Sequence, residues 1–189
     1  LEKLRDKYYL IACDGSEFNI ARNPNNPDTY HEPNGKSASG FNMIHTISLY
    51  EVCSKRYFDL EVQPGRRKNE FHAICNLMDR YAYGGHPIFI ADRGFSSYNV
   101  FAHAIENQID FIIRAKDLNV QRFLRVNSLP DKLDTTVELI LTRTQSKKKH
   151  QHPEKEAQYR YICKNIAFDY LDPNDISDEY RLKLRIVRF

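Results

Sequence analysis

No stretch of the chain approaches the roughly 18–20 consecutive apolar residues that a helix needs to cross a bilayer. The opening LEKLRDKYYL is charged from Glu2 onward, which excludes a signal peptide there, and it begins with Leu, as a fragment or processed chain would. The four cysteines, Cys13, Cys53, Cys75 and Cys163, include no CxxC pair. Cys13 and Cys75 sit inside apolar patterns, so the set reads as reduced core residues of a cytosolic protein, not as zinc ligands or a disulfide framework. Charge of one sign is also scarce in excess: 28 Lys and Arg face 25 acidic residues, a formal net charge of +3. That balance permits nucleic-acid binding without demanding it. The seven histidines form no HExxH and no triad pattern. Ser16, after Asp14-Gly15, lacks a nucleophile elbow, which sets aside serine hydrolase chemistry. No internal repeat is visible.

What remains is 189 residues, 41% of them hydrophobic, enough for one globular domain with an elaboration. A first strand is expected over 7–13, leading straight into Asp14 and Gly15. The loop ARNPNNPDTYHEPNGKSASG follows without any apolar period. FNMIHTISLYEV alternates Phe41, Met43, His45, Ile47 and Leu49, a half-buried strand, and KRYFDLEV is its hairpin partner. The period then lengthens: Asn69 is a predicted N-cap, and Phe71, Ile74, Cys75, Met78 and Tyr81 recur at helical spacing before Gly84-Gly85. HPIFIADRGF carries a buried strand that ends on Asp92. Ser96 or Ser97 caps a second helix bearing Val100, Phe101, Ala104 and Ile105, and DFIIRAK, 110–116, is a further strand. The order is β-β-β-α-β-α-β, a mixed sheet with helices, and it matches the ribonuclease-H-like fold. Downstream, TTVELILTRTQ, AQYRYICKNIAF and RLKLRIVRF read as three strands. Residues 118–189 are therefore expected to be β-rich, with no long helix.

Two strands that end on aspartate need a reason. In α/β sheets, ligands and catalytic groups gather at strand ends. In a ribonuclease-H-like order the first and fourth strands are neighbours, about 4.8 Å apart. Asp14 and Asp92 would then face each other across a gap suited to a divalent cation, and without one they would repel. Oxygen-only ligands favour Mg²⁺ or Mn²⁺, and a pair of such ions can drive phosphodiester chemistry. The competing reading is that each Asp merely begins a turn.

Three segments, CDGS after the first strand, then IADRGFSSYNVF, then FIIRAK, resemble the catalytic core of bacterial DDE transposases, with most similarity to the insertion-sequence-four-like (IS-four-like) group. The resemblance covers residues 8–116 by motif and the remainder by its β-rich character; the DRGF block followed by Tyr98 is its specific part. It implies a ribonuclease-H-like catalytic core over 1–117, interrupted by a β-rich insertion over 118–189. Asp14 and Asp92 would be the first two metal-binding and catalytic acids, with Mg²⁺ or Mn²⁺ as cofactor. The third acid of the family, a Glu in a Tyr-x2-Arg-x3-Glu-x6-Lys pattern, is missing: Tyr180-Arg181 lacks the spacing and no Glu follows Glu179. The rest of the core, with that Glu, is thus expected to be absent. The implied activity is DNA cleavage and strand transfer at insertion-sequence ends in the bacterial cytoplasm, on the nucleoid, by a homodimer on DNA. A ribonuclease-H-like nuclease and a catalytically silent remnant are the alternatives.

Basic residues suggest where DNA would lie. Arg114 and Lys116, two apart on one expected strand, would meet the backbone or form a solvated strand end. Arg93 would touch a phosphate, orient Asp92, or close a salt bridge. Lys147, Lys148 and Lys149 form a basic loop that would grip phosphates or stay solvated. Arg66, Arg67 and Lys68 form a second cluster with the same two readings. His150 and His152 lack a third ligand for zinc.

Overall fold

In the computed structural model, which describes residues 1–35, 37–144, 152–175 and 177–189, strand β1 runs from Tyr8 to Ile20, well past Asp14. The sequence DGSEFNI is poor strand material, yet each of its residues pairs with β3, Phe41–Glu51, in a register that continues to Ile20↔Asn42. A neighbouring edge that satisfies backbone groups overrides local preference. The loop after β1 is also less plain than its composition, since Tyr30–His31 form a two-residue strand, β2, against Asn42 and Phe41.

The outer edge of β3 is shared by β2 and by β4, Arg56–Pro64. On the other side, β1 pairs in parallel with β5, His86–Ala91, and β5 in parallel with β6, Asp110–Ile113. Without β2, the order is β4-β3-β1-β5-β6, antiparallel on one side of β1 and parallel on the other. This is the ribonuclease-H-like arrangement, a mixed sheet flanked by helices. Helix α1, Glu70–Asp79, leads into β5, and α2, Tyr98–Glu106, links β5 to β6.

One face of the sheet carries the core. Ile11, Cys13, Ile47, Leu49, Phe89 and Ala91 are buried against Ile74, Leu77 and Met78 of α1 and Val100 and Ala104 of α2. Of the apolar residues expected on the two helices, Phe71 and Ile105 are exposed, and Leu77 takes a core place instead. His103 Nδ1 and Asn107 Nδ2 both reach Asp79 Oδ1, at 2.7 and 2.8 Å, and so tie α2 to the end of α1. Cys53 is half-buried and Cys163 exposed, unlike the buried Cys13 and Cys75, and none of the four forms a disulfide.

Both helix caps are local features and lie where the sequence places them. Asn69 Oδ1 accepts from His72 N at 3.1 Å, and Ser97, not Ser96, accepts from Val100 N at 3.3 Å. Replacing the first cap, Asn69→Ala, is expected to lower stability by about 1 kcal/mol in urea unfolding, because the α1 amide loses its acceptor.

The chain divides into two compact units, Leu1–Arg114 and Ala115–Phe189. The second opens with a helix that the strand patterns do not announce, α3, Asp117–Leu124. Its sheet has β7, Leu133–Thr142, at the centre, β8, Tyr159–Tyr161, parallel on one edge and β9, Glu179–Arg188, antiparallel on the other. The expected strand over AQYRYICKNIAF is thus cut to three residues. The cause is Arg143, whose guanidinium donates to the carbonyls of Cys163, Ile166 and Phe168 at 2.9, 3.2 and 3.3 Å. Three carbonyls turned to one cation cannot also form a ladder.

Candidate active site

The parallel pairing of β1 with β5 ends at Cys13↔Ala91, so Asp14 and Asp92 are the next residue on each of two adjacent strands. The two expected acids therefore come to the same level of the sheet, at the point where β5 stops and β1 runs on. Both are exposed. By alternation from the buried Ile11 and Cys13, Asp14 belongs to the face away from the helices.

Each carboxylate uses one oxygen locally. Asp14 Oδ1 accepts from Gly15 N at 2.8 Å, and Asp92 Oδ1 accepts from Gly94 N as the cap of a 3₁₀ turn, Arg93–Phe95. The turn reading thus describes Asp92 and fails for Asp14, whose strand continues. Gly15 answers a packing need instead, for a Cβ there would lie 3.0 Å from Cε1 of the buried His45. His45 Nε2 in turn lies 3.2 Å from Glu70 Oε1 in the first turn of α1. Neighbouring Cys13 is no candidate ligand: burial, with the Asp14 charge adding to it, pushes its thiol up to about 12.

The donor set is two exposed carboxylates with no thiol or imidazole, which suits a hard cation that keeps most of its waters. Among the described residues no cluster of three His, Cys, Asp or Glu side chains has metal-binding spacing. Glu138 and Glu179 are engaged within the second unit, Glu138 with Lys183 at 3.6 Å and Glu179 with the Tyr159 hydroxyl at 3.0 Å.

A family model described as "Transposase DDE domain" matches residues 5–185. The chain belongs to the DDE transposase family. Divalent metal ions serve DDE transposases in general. Among solved structures, the piggyBac transposase synaptic complex with hairpin DNA is similar at 14% identity and a TM-score of 0.41. The match covers 68% of this chain and 28% of that one, so the DDE domain spans about a quarter of that structure's length. No curated protein matches it.

The other expected contacts fare differently. Strand β6 ends at Ile113, because β5 stops at Ala91 and the last bond is Arg114 N to Ala91 O at 3.2 Å. Arg114 and Lys116 therefore do not share a strand face, and Lys116 caps α3. Arg93 is exposed and, among the described residues, makes no ion pair. Arg66, Arg67 and Lys68 are committed within the fold, to Tyr30 O at 3.1 Å, Asp28 at 2.9 Å and Glu17 at 2.6 Å. The bond from Lys68 holds the Glu17 carboxyl below the usual range. His152 pairs with Glu154 at 3.4 Å, and Lys147, Lys148, Lys149 and His150 lie outside the described residues. No helix among the described residues is long and apolar enough to cross a membrane.

Proposed function

We propose that this DDE domain is part of a protein that cuts DNA at insertion-sequence ends and transfers the strands, with Asp14 and Asp92 as two of its metal-holding catalytic acids. The single observation that supports this most is the register Cys13↔Ala91, which brings the two acids to one level on adjacent parallel strands. Asp14 and Asp92 would hold Mg²⁺ or Mn²⁺, the hard cations that an oxygen-only donor set favours. When bound, the ion supplies activation of an attacking oxygen and stabilisation of a leaving oxygen at a phosphodiester.

The chain's own residues then have separable tasks. Asp14 is carried by a strand held on both sides up to Cys13 and by β3 beyond it, so its position is rigid. Asp92 is fixed by its turn, and Arg93 beside it is free to meet a phosphate. Arg114 closes the neighbouring strand and is a second backbone contact; Lys116, Lys147, Lys148 and Lys149 are contacts from the second unit. The whole protein works as a homodimer on DNA in the bacterial cytoplasm.

Joining of a labelled 3′-hydroxyl end to a target plasmid, by a protein that contains this domain, tests the proposal. Ion-dependent joined product is the expected result. Cleavage with no joining would replace strand transfer by a plain nuclease activity, and neither product in any divalent ion would overturn the reading.

A further inference from the structure

A second charged site lies far along the chain from the two aspartates. The outward residues of β9, Arg181, Lys183 and Arg185, alternate with the buried Leu182 and Leu184 and so share one face of the second sheet. They are not equivalent. Arg185 is held by Asp134 through two bonds, at 2.9 and 2.6 Å. Among the described residues Lys183 pairs with Glu138, at 3.6 Å, with both side chains well exposed, a pairing worth little in water. Arg181 pairs with no acid among the described residues.

Arg181 and Lys183 wall a cavity of about 260 Å³. Lys155 and Gln158, just before β8, form the opposite wall, and Ile140 of β7 is part of the floor. The geometry follows from the register, since Ile140 pairs with Arg181 on one side and with Tyr159 on the other, while its N–H donates to Gln158 O at 3.0 Å. Three cations thus converge on a depression that holds one acid, Glu138. Lys155 is half-buried there and feels the charge of neighbouring Glu154, whereas Arg181 has no acidic partner among the described residues. Cations that outnumber the acids around them repel one another, and a cavity that keeps them together favours an anion.

We propose that this cavity is a phosphate site that takes the DNA backbone, with Arg181 and Lys155 as its main donors. Arg181 offers a planar fork to two phosphate oxygens, and Lys155 a point charge from the other wall. Lys183 joins them by releasing Glu138. Gln158 adds a neutral donor. Such contacts fix the position of a duplex and carry no sequence information. The choice of DNA over a free phosphate rests on the transposase reading.

Fluorescence anisotropy of a labelled duplex with the 189-residue chain tests it, in EDTA so that the carboxylate site plays no part. For Arg181→Gln combined with Lys155→Gln, weaker binding is expected, and the slope of log K against log salt should shrink by about 1.8, since each phosphate contact contributes roughly 0.9. Glu138→Gln should act in the opposite sense, tightening binding and steepening the slope. Circular dichroism melts unchanged from wild type keep these readings independent of folding. Wild-type slope and affinity in both variants would overturn the site. Inorganic phosphate competing at matched ionic strength, where chloride does not, would identify a free-phosphate pocket and overturn the choice of DNA. These outcomes are independent of strand joining: a chain that joins DNA with an unaltered slope refutes only the pocket.

Discussion

Titrated with Mn²⁺ in a calorimeter, the chain is expected to bind one ion weakly, and Asp14→Asn and Asp92→Asn should each abolish that binding. The reasoning begins with ligand count. Two carboxylates and a shell of water suffice to hold one hard divalent ion, but nothing among the described residues adds a third acid beside them. Two ions about 3.5–4 Å apart need more negative charge than two aspartates provide. The variants remove one anionic ligand each while preserving shape and the local N–H···O bonds, which an amide oxygen still accepts. A loss common to both variants is what one shared ion demands. Binding that survives in either variant would mean that the two carboxylates do not serve the same ion, and the metal reading would fall with it. Two ions bound to the wild-type chain would show that a third acid takes part, and Glu138→Gln and Glu179→Gln would then locate it.

The second large effect concerns stability. Glu51, at the end of β3, is fully buried, yet its carboxylate is satisfied from four sides. Cys53 N, Ser54 N and Glu2 N donate to it at 2.9, 2.7 and 3.3 Å, and the Ser54 hydroxyl donates as well. It thereby closes the β3–β4 turn and fastens the N-terminal residues to it. Burial alone would push the carboxyl upward, but the bonds from Ser54, Cys53 and Glu2 outweigh it and hold the group at about 2. The folded value lies below the unfolded one, so the charge stabilises the fold above the ordinary carboxylate range. That contribution fades as the pH falls from about 4.5 through about 2. At 1.36 kcal/mol per pH unit the full contribution is about 3 kcal/mol. Glu51→Gln should therefore unfold at markedly lower urea at pH 7, with the gap to wild type closing as the solution approaches pH 2. A constant gap across that range would assign the loss to packing rather than to charge.

Much of the ribonuclease-H-like half was legible because its signals are local. The strand over 86–91, the helices after Asn69 and Ser97 and the alternation of His45, Ile47 and Leu49 all depend on burial periodicity within ten residues. The second unit was less so. RLKLRIVRF announced its strand, but nothing local says that Lys155 stands opposite Arg181. The curl after Tyr161 was equally hidden, since it is made by Arg143, the residue just past the end of β7.

By itself the sequence determined the strand-like runs around 41–51, 56–64 and 86–91, the helices that follow Asn69 and Ser97, and that two apolar runs lead into aspartates. Only the tertiary structure decided where strands stop. β1 passes through Asp14 because β3 supplies partners as far as Ile20, and β6 stops at Ile113 because β5 has already ended at Ala91. The same pairing brings Asp14 level with Asp92. The physical reason is that a backbone hydrogen bond needs a neighbour, and in a sheet that neighbour comes from a distant part of the chain. Side-chain period is written locally, whereas register, and with it the meeting of two carboxylates, belongs to the pair of strands.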